Sequence, residues 1–134
     1  MDPADLVARP MKMPHADPDA VARFERLCPA TAGVAVRPMF GQPAAFVDGN
    51  MFLGVFGDAV FVRLSEDDRA IALGLDGAHL FEPMPGRPMR EYVVLPVEVL
   101  NDAAKAGPWI ERSVKYARAI GPTKTKKRGR PSGR

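Results

Sequence analysis

The chain has one cysteine in 134 residues, two histidines, and no apolar run approaching the ~20 residues that a membrane-spanning helix needs. With Cys28 alone an internal disulfide is excluded, in keeping with a reducing compartment. The stretch Met1 to Arg9 carries neither the basic start nor the apolar core of a secretory signal, so a cytoplasmic protein is expected, nucleoid-associated if it binds DNA. His15 falls in a proline-bearing leader and His79 near a strand start, neither on a helix that would present a ligand pair, so no metal is predicted. A phosphate loop needs several glycines, and Pro83 to Pro88 has only Gly86. Cys28 lies on the apolar stripe of a helix, where burial makes a thiol inert. The acids Glu66, Asp67 and Asp68 follow Ser65 and read as helix capping. No catalytic residue and no cofactor is therefore expected, and the chain reads as non-enzymatic.

What is present is an ordinary globular composition, 46% apolar and 26% charged, enough for one domain with short extensions. The net charge of +3 is unevenly divided. Lys124, Lys126, Lys127, Arg128, Arg130 and Arg134 contribute six positive charges to residues 122–134, with no acid among them. Residues 1–121 then hold 13 basic against 16 acidic side chains, a mildly acidic body with a basic arm.

The body is organised around Val34 to Leu64, rich in Val and Phe and cut by Gly41-Gln42-Pro43, Asp48-Gly49-Asn50 and Gly57-Asp58. Such turn formers predict three or four short strands. The connections are too short for parallel crossovers, so an antiparallel meander follows. Alternation places Val60, Val62 and Leu64 opposite Phe61 and Arg63, and Met51, Leu53 and Val55 opposite Phe52, Gly54 and Phe56. Asp17-Pro18 predicts a helix start before Val21, Phe24, Leu27 and Cys28. Ser65 starts a second helix with Ile71, Ala72 and Leu75 inward. The three prolines of Pro83 to Pro88 predict a projecting loop, and Arg90 to Leu95 a strand. Pro96 opens a short helical segment. A break at Gly107-Pro108 restarts it as the terminal helix, whose apolar face is Trp109, Ile110, Val114, Ala117 and Ile120. Gly121-Pro122 ends that helix. The fold class is α+β, helices packed on an antiparallel sheet in the order helix, three or four strands, helix, one or two strands, helix. The expected divisions are a flexible leader over 1–16, the α+β domain over 17–121 and a basic tail over 122–134.

Arg37-Pro38-Met39-Phe40-Gly41, Val47 to Phe52, Phe61 to Leu64, Pro85 to Met89 and the Trp109 helix together resemble the TfoX N-terminal-domain family over residues 17–121. The resemblance implies a two-layer domain with an antiparallel sheet, similar to type III secretion chaperones, which often dimerise; a homodimer is expected on that ground. In longer members this domain is the first half of regulators of natural competence. Gln42-Pro43-Ala44-Ala45 departs from the glycine- and tyrosine-bearing stretch that many members have there.

In the tail, Lys126, Lys127, Arg128, Gly129, Arg130 and Pro131 resemble an AT-hook. Gly129 lets the backbone sink into a narrow minor groove while Arg128 and Arg130 extend along its floor, and Pro131 keeps the chain extended. A·T tracts suit this, because their groove is narrow and negative and lacks the guanine amino group. The alternative is a solvated basic tail that binds any polyanion weakly. A second candidate is a partner or anion surface: Arg37, Arg87 and Arg90, with Arg63, beside the sheet, and Met39 and Phe40, with Met51, Phe52, Met84 and Met89, as either an adaptable protein-binding surface or core. Three readings stand. The first is a DNA-associated regulatory protein, with a self-associating body and a tail that grips A·T-rich DNA weakly per site. The second is a chaperone-like dimeric module without specific DNA binding. The third is a ligand binder or enzyme using the loop at Arg87.

Overall fold

The structure is a computed structural model that describes residues 15–121. The segments 1–14 and 122–134, which hold most of the predicted leader and the whole predicted tail, lie outside the described residues. Ten elements follow in order: α1 (Pro18–Leu27), β1 (Val34–Met39), β2 (Gln42–Val47), β3 (Asn50–Phe56), β4 (Ala59–Arg63), α2 (Glu66–Leu73), β5 (His79–Met84), β6 (Arg87–Val94), α3 (Val97–Leu100) and α4 (Ala103–Ile120). The strands form one six-stranded sheet in the order β1-β2-β3-β4-β6-β5, every pair antiparallel. The fold is α+β, with four helices among the described residues, as the pattern of apolar residues implies.

Local chemistry accounts for the boundaries. Asp17 caps α1, its Oδ2 accepting from the Ala20 amide at 3.3 Å, with Pro18 at the first helical position. Ser65 caps α2, its Oγ accepting from the Asp68 amide at 3.3 Å. Two hairpin turns need left-handed backbone at both central residues, and they fall at Phe40-Gly41 (φ 58° and 74°) and Asp48-Gly49 (φ 54° and 81°).

Several expectations are corrected. Ile71 and Ile120, expected on the inward faces of α2 and α4, are exposed. The turn after β1 is Phe40-Gly41, so Gln42 and Pro43 belong to β2, and Gln42 is buried with its Oε1 accepting from the Gly57 amide at 2.8 Å. Pro83 to Pro88 form no projecting loop: β5 and β6 pair up to Met84 and Arg87 across a tight Pro85-Gly86 turn. Pro83 is tolerated because β5 is an edge strand, and Pro88 because β4 pairs with β6 only at Tyr92, Val93 and Val94, leaving that part of β6 an edge as well. The terminal helix does not restart at Gly107-Pro108. Its break lies at Asn101-Asp102, where Asp102 accepts from the Ala104 amide at 3.0 Å, and Pro108 sits inside α4. An interior proline costs a helix about 3 kcal/mol. Here the cost is offset by the apolar face that α4 buries through Ala106, Ile110 and Ala117.

The helices share one side of the sheet. Their core with it includes Ala20, Phe24, Phe52, Leu53, Val55, Val60, Val62, Leu64, Ala72, Val93, Ile110 and Ala117. A second cluster fills the other side with Ala44, Met51, Phe61, Phe81, Tyr92 and Val94, with Met39, Phe40, Phe46, Phe56, Ala59 and Met89 packed on it. Among the described residues no helix contributes to this second layer. It closes on itself through aromatic contacts: Phe61 stacks on Phe81 at 4.1 Å between ring centroids, and Phe56 meets Phe81 and Phe40 edge-on at 5.4 and 5.5 Å. Phe81 on β5 thus reaches Phe56 on β3, so the sheet is strongly curled.

Strict alternation predicts the faces of β4 correctly but not those of β3. Phe46 pairs with Met51 and Ala45 with Leu53, so Phe52 is an extra residue, a β-bulge. The bulge puts Phe52 and Leu53 on the same helix-facing side and turns Met51 to the other.

Candidate functional site

α4 is the element on which the features of interest converge. It packs on β3 and β4 by a face of small residues, and the buried Ser113 is inserted into the sheet's hydrogen bonding. Its Oγ donates to the Phe52 carbonyl at 2.6 Å and accepts from the Arg63 amide at 3.2 Å. One hydroxyl therefore bridges a β3 carbonyl and a β4 amide just beyond the last pair of that ladder, Leu53 with Val62, and two backbone groups are satisfied at once.

The far end of α4 is held by β3. Asn50, 7% exposed, donates from Nδ2 to the carbonyls of Ala117 at 2.9 Å and Gly121 at 2.7 Å. Gly121 takes φ 91° and ψ 172°, a backbone conformation open essentially to glycine alone. The point from which the basic tail departs is thus fixed to the sheet. The tail residues singled out in the sequence, Lys126, Lys127, Arg128, Gly129, Arg130 and Pro131, lie outside the described residues.

The outer face of α4 is basic. Lys105, Arg112, Lys115 and Arg118 are exposed along it, with Glu111 the one acid. Arg112 Nη1 lies 2.6 Å from Asp68 Oδ1 and crosses the Trp109 ring at 5.4 Å. Arg118 Nη2 donates to the Ala32 carbonyl at 2.6 Å. Beside them runs an apolar groove of about 490 Å³, open to solvent and lined by Pro29, Thr31, Ile110, Val114, Lys115 and Arg118 among others.

At the end of β4, Arg63 pairs with Glu91 at 2.6 Å, and the Tyr116 hydroxyl donates to the other Glu91 oxygen at 3.2 Å. Burial and the neighbouring Glu91 carboxylate raise the Tyr116 pKa. Burial likewise raises Tyr92, whose hydroxyl donates to the Met51 carbonyl at 3.3 Å. Burial also pushes the Cys28 thiol up, away from nucleophilic use.

The second candidate surface is dispersed. Arg37 lies on the edge strand β1 and covers the Phe46 ring at 4.2 Å, while Arg87 and Arg90 are exposed on β6, beside the opposite edge of the strand order. Met39 and Phe40 are half-buried against the second aromatic cluster, joined there by Met51 and Met89. Phe52 belongs to the helix-side core, and Met84 is 51% exposed on β5. The sequence gives Ser113 no role, and Asn50 and Gln42 only the role of turn residues. Their only signal there is negative, polar residues within otherwise apolar stretches.

A cleft of about 720 Å³ at one end of the sheet is lined by His15, Asp17, Phe56, Asp58, His79, Phe81 and Glu82 among others. Asp17 is occupied there as a helix cap. Among the described residues, no group of three or more His, Cys, Asp or Glu side chains is placed to hold a metal ion. No described helix is long and apolar enough to cross a membrane.

Comparison with protein families matches residues 25–117 to the family described as TfoX N-terminal domain. No curated protein matches the chain.

Proposed function

The chain belongs to the TfoX N-terminal domain family, and from that premise we propose a non-enzymatic regulatory protein that associates with DNA, its α+β body serving self-association and its basic tail gripping A·T-rich minor grooves. One observation carries the reading. Residues 122–134 concentrate six basic side chains with no acid around Arg128-Gly129-Arg130-Pro131, next to a body that is net acidic. Two arginines flanking a glycine suit a narrow groove lined by acceptors, whereas a plain basic tail needs no such order. Six cations give a salt slope of at most about −5 on duplex DNA, weak binding per site, so a second copy on the same DNA would strengthen it.

The test is fluorescence anisotropy with A·T-rich and G·C-rich duplexes, using the full chain and its Arg128→Ala, Arg130→Ala double variant. The expected result is a preference for the A·T duplex that the double variant loses. Equal affinity of the full chain for both duplexes overturns the minor-groove reading.

A second reading, a protein-binding dimeric module without specific DNA recognition, is favoured by the sheet face of Met39, Phe40, Phe46, Phe56 and Met89, over which no described helix lies. In both readings the body self-associates. A sizing measurement that returned the single-chain mass of 14.5 kDa would contradict that.

A further inference from the structure

We infer that the outer face of α4, marked by Lys105, Arg112, Lys115 and Arg118, is a phosphate-contacting surface of the folded body that acts together with the tail on duplex DNA. The inference rests on the DNA reading above and adds to it a place on the body where the duplex lies.

The charge is segregated by element. Residues 103–121 carry four basic side chains against Glu111 alone, net +3, while residues 15–102 carry seven basic against 13 acidic, net −6. The body is therefore acidic overall yet positive along one helix, and that helix is the one that runs into the tail. The arrangement of α4 makes this a surface. Ala106, Ile110, Ser113 and Ala117 are buried against the sheet, so the opposite side of the cylinder faces solvent, and Lys105, Arg112, Lys115 and Arg118 are all exposed there. Arg112 is steadied by Asp68 and Arg118 by the Ala32 carbonyl. An 18-residue helix is about 27 Å long, enough to follow several phosphates of one strand. Lys105 and Lys115 stand about 15 Å apart along it.

The geometry at Gly121 joins helix and tail. Because Asn50 holds the carbonyls of both Ala117 and Gly121, the tail starts from a fixed point at the end of the basic face. A duplex bound by the tail finds in α4 the element of the body with a net positive charge, the remainder being net acidic. Phosphate contacts position a protein without reading sequence, which complements a tail that reads only A·T against G·C.

The experiment measures anisotropy of a 20-base-pair A·T-rich duplex against salt concentration, with the full chain, its Lys105→Gln, Lys115→Gln variant, its Lys105→Arg, Lys115→Arg variant, and the Arg128→Ala, Arg130→Ala tail variant. Each lost phosphate contact lowers the salt slope by about 0.9, so the glutamine pair reduces it by about 1.8 and weakens binding at 0.1 M salt roughly 60-fold. The arginine pair keeps the slope of the full chain. The preference for A·T over G·C survives the glutamine pair, since the tail that reads it is intact. A glutamine pair with unchanged slope and affinity, beside a tail variant that loses the A·T preference, overturns this inference and leaves the tail reading standing. A full chain that binds neither duplex overturns both.

Discussion

Replacing Ser113 by alanine removes one oxygen and strands two buried backbone groups. In the native protein that oxygen donates to the Phe52 carbonyl at 2.6 Å and accepts from the Arg63 amide at 3.2 Å. Ser113 is fully buried, so no bulk water replaces it. A buried donor or acceptor left unsatisfied costs about 1–3 kcal/mol. The two losses share one site and the strands can close slightly across the gap, so the sum falls short of additive, at about 2–4 kcal/mol. For a domain of this size 1 kcal/mol corresponds to roughly 4–6 °C, giving a fall in Tm of roughly 10–20 °C. Urea unfolding followed by the fluorescence of Trp109, the single tryptophan, reads the change directly, because Trp109 lies one turn before Ser113 on α4. The midpoint moves down while the denaturant slope stays constant, since the surface exposed on unfolding is unaltered. Amide exchange adds a local check: the Arg63 amide exchanges faster relative to its β4 neighbours. A loss under about 0.5 kcal/mol, the level of an ordinary surface change, would refute the bridging role.

Gly54→Ala would place a Cβ 2.4 Å from Phe61 Cζ, and the ring cannot retreat without leaving its stack on Phe81; a loss of about 1–3 kcal/mol in urea unfolding is expected, and a neutral result would contradict the packing of the second cluster. Tyr92 is held neutral by burial, so its pKa in the folded state lies above the usual ~10. The sign follows: its contribution is intact below pH ~10 and lost as the pH rises through the raised folded value. Thermal unfolding of Tyr92→Phe should accordingly decline less steeply than that of the natural chain above pH ~10, and parallel curves would contradict it.

The starts of α1 and α2 and the turn at Asp48-Gly49 are legible because each rests on local chemistry: Asp17 and Ser65 cap their own helices, and Asp48-Gly49 can take positive φ. The bulge at Phe52 is not. A period-two pattern reveals a slip only when one face is polar, and β3 is apolar on both. Prolines misled for a related reason. Pro83 and Pro88 forbid pairing only on the side where an amide must donate, and that side is known only once β5 is seen to be an edge. Pro108 was read as a break because the strength of the competing cap at Asp102 cannot be judged before α4 is placed on the sheet.

The basic tail stands out in the composition, whereas the basic face of α4 does not, because the acids of the preceding elements cancel it in any whole-chain sum. It emerges when charge is counted by element and the buried face is known. Nor does sequence join helix to tail. Asn50 lies 71 residues before Gly121, and in the strand pattern it reads as part of a turn. In the fold it donates to the carbonyls at the end of α4, where the helix dipole is negative and a donor is favoured. Its polarity, inside an otherwise apolar strand, is what the C-terminal carbonyls require. The same bonds fix Gly121, the last described residue before the cationic arm, at the end of the helix face on which the DNA proposal depends.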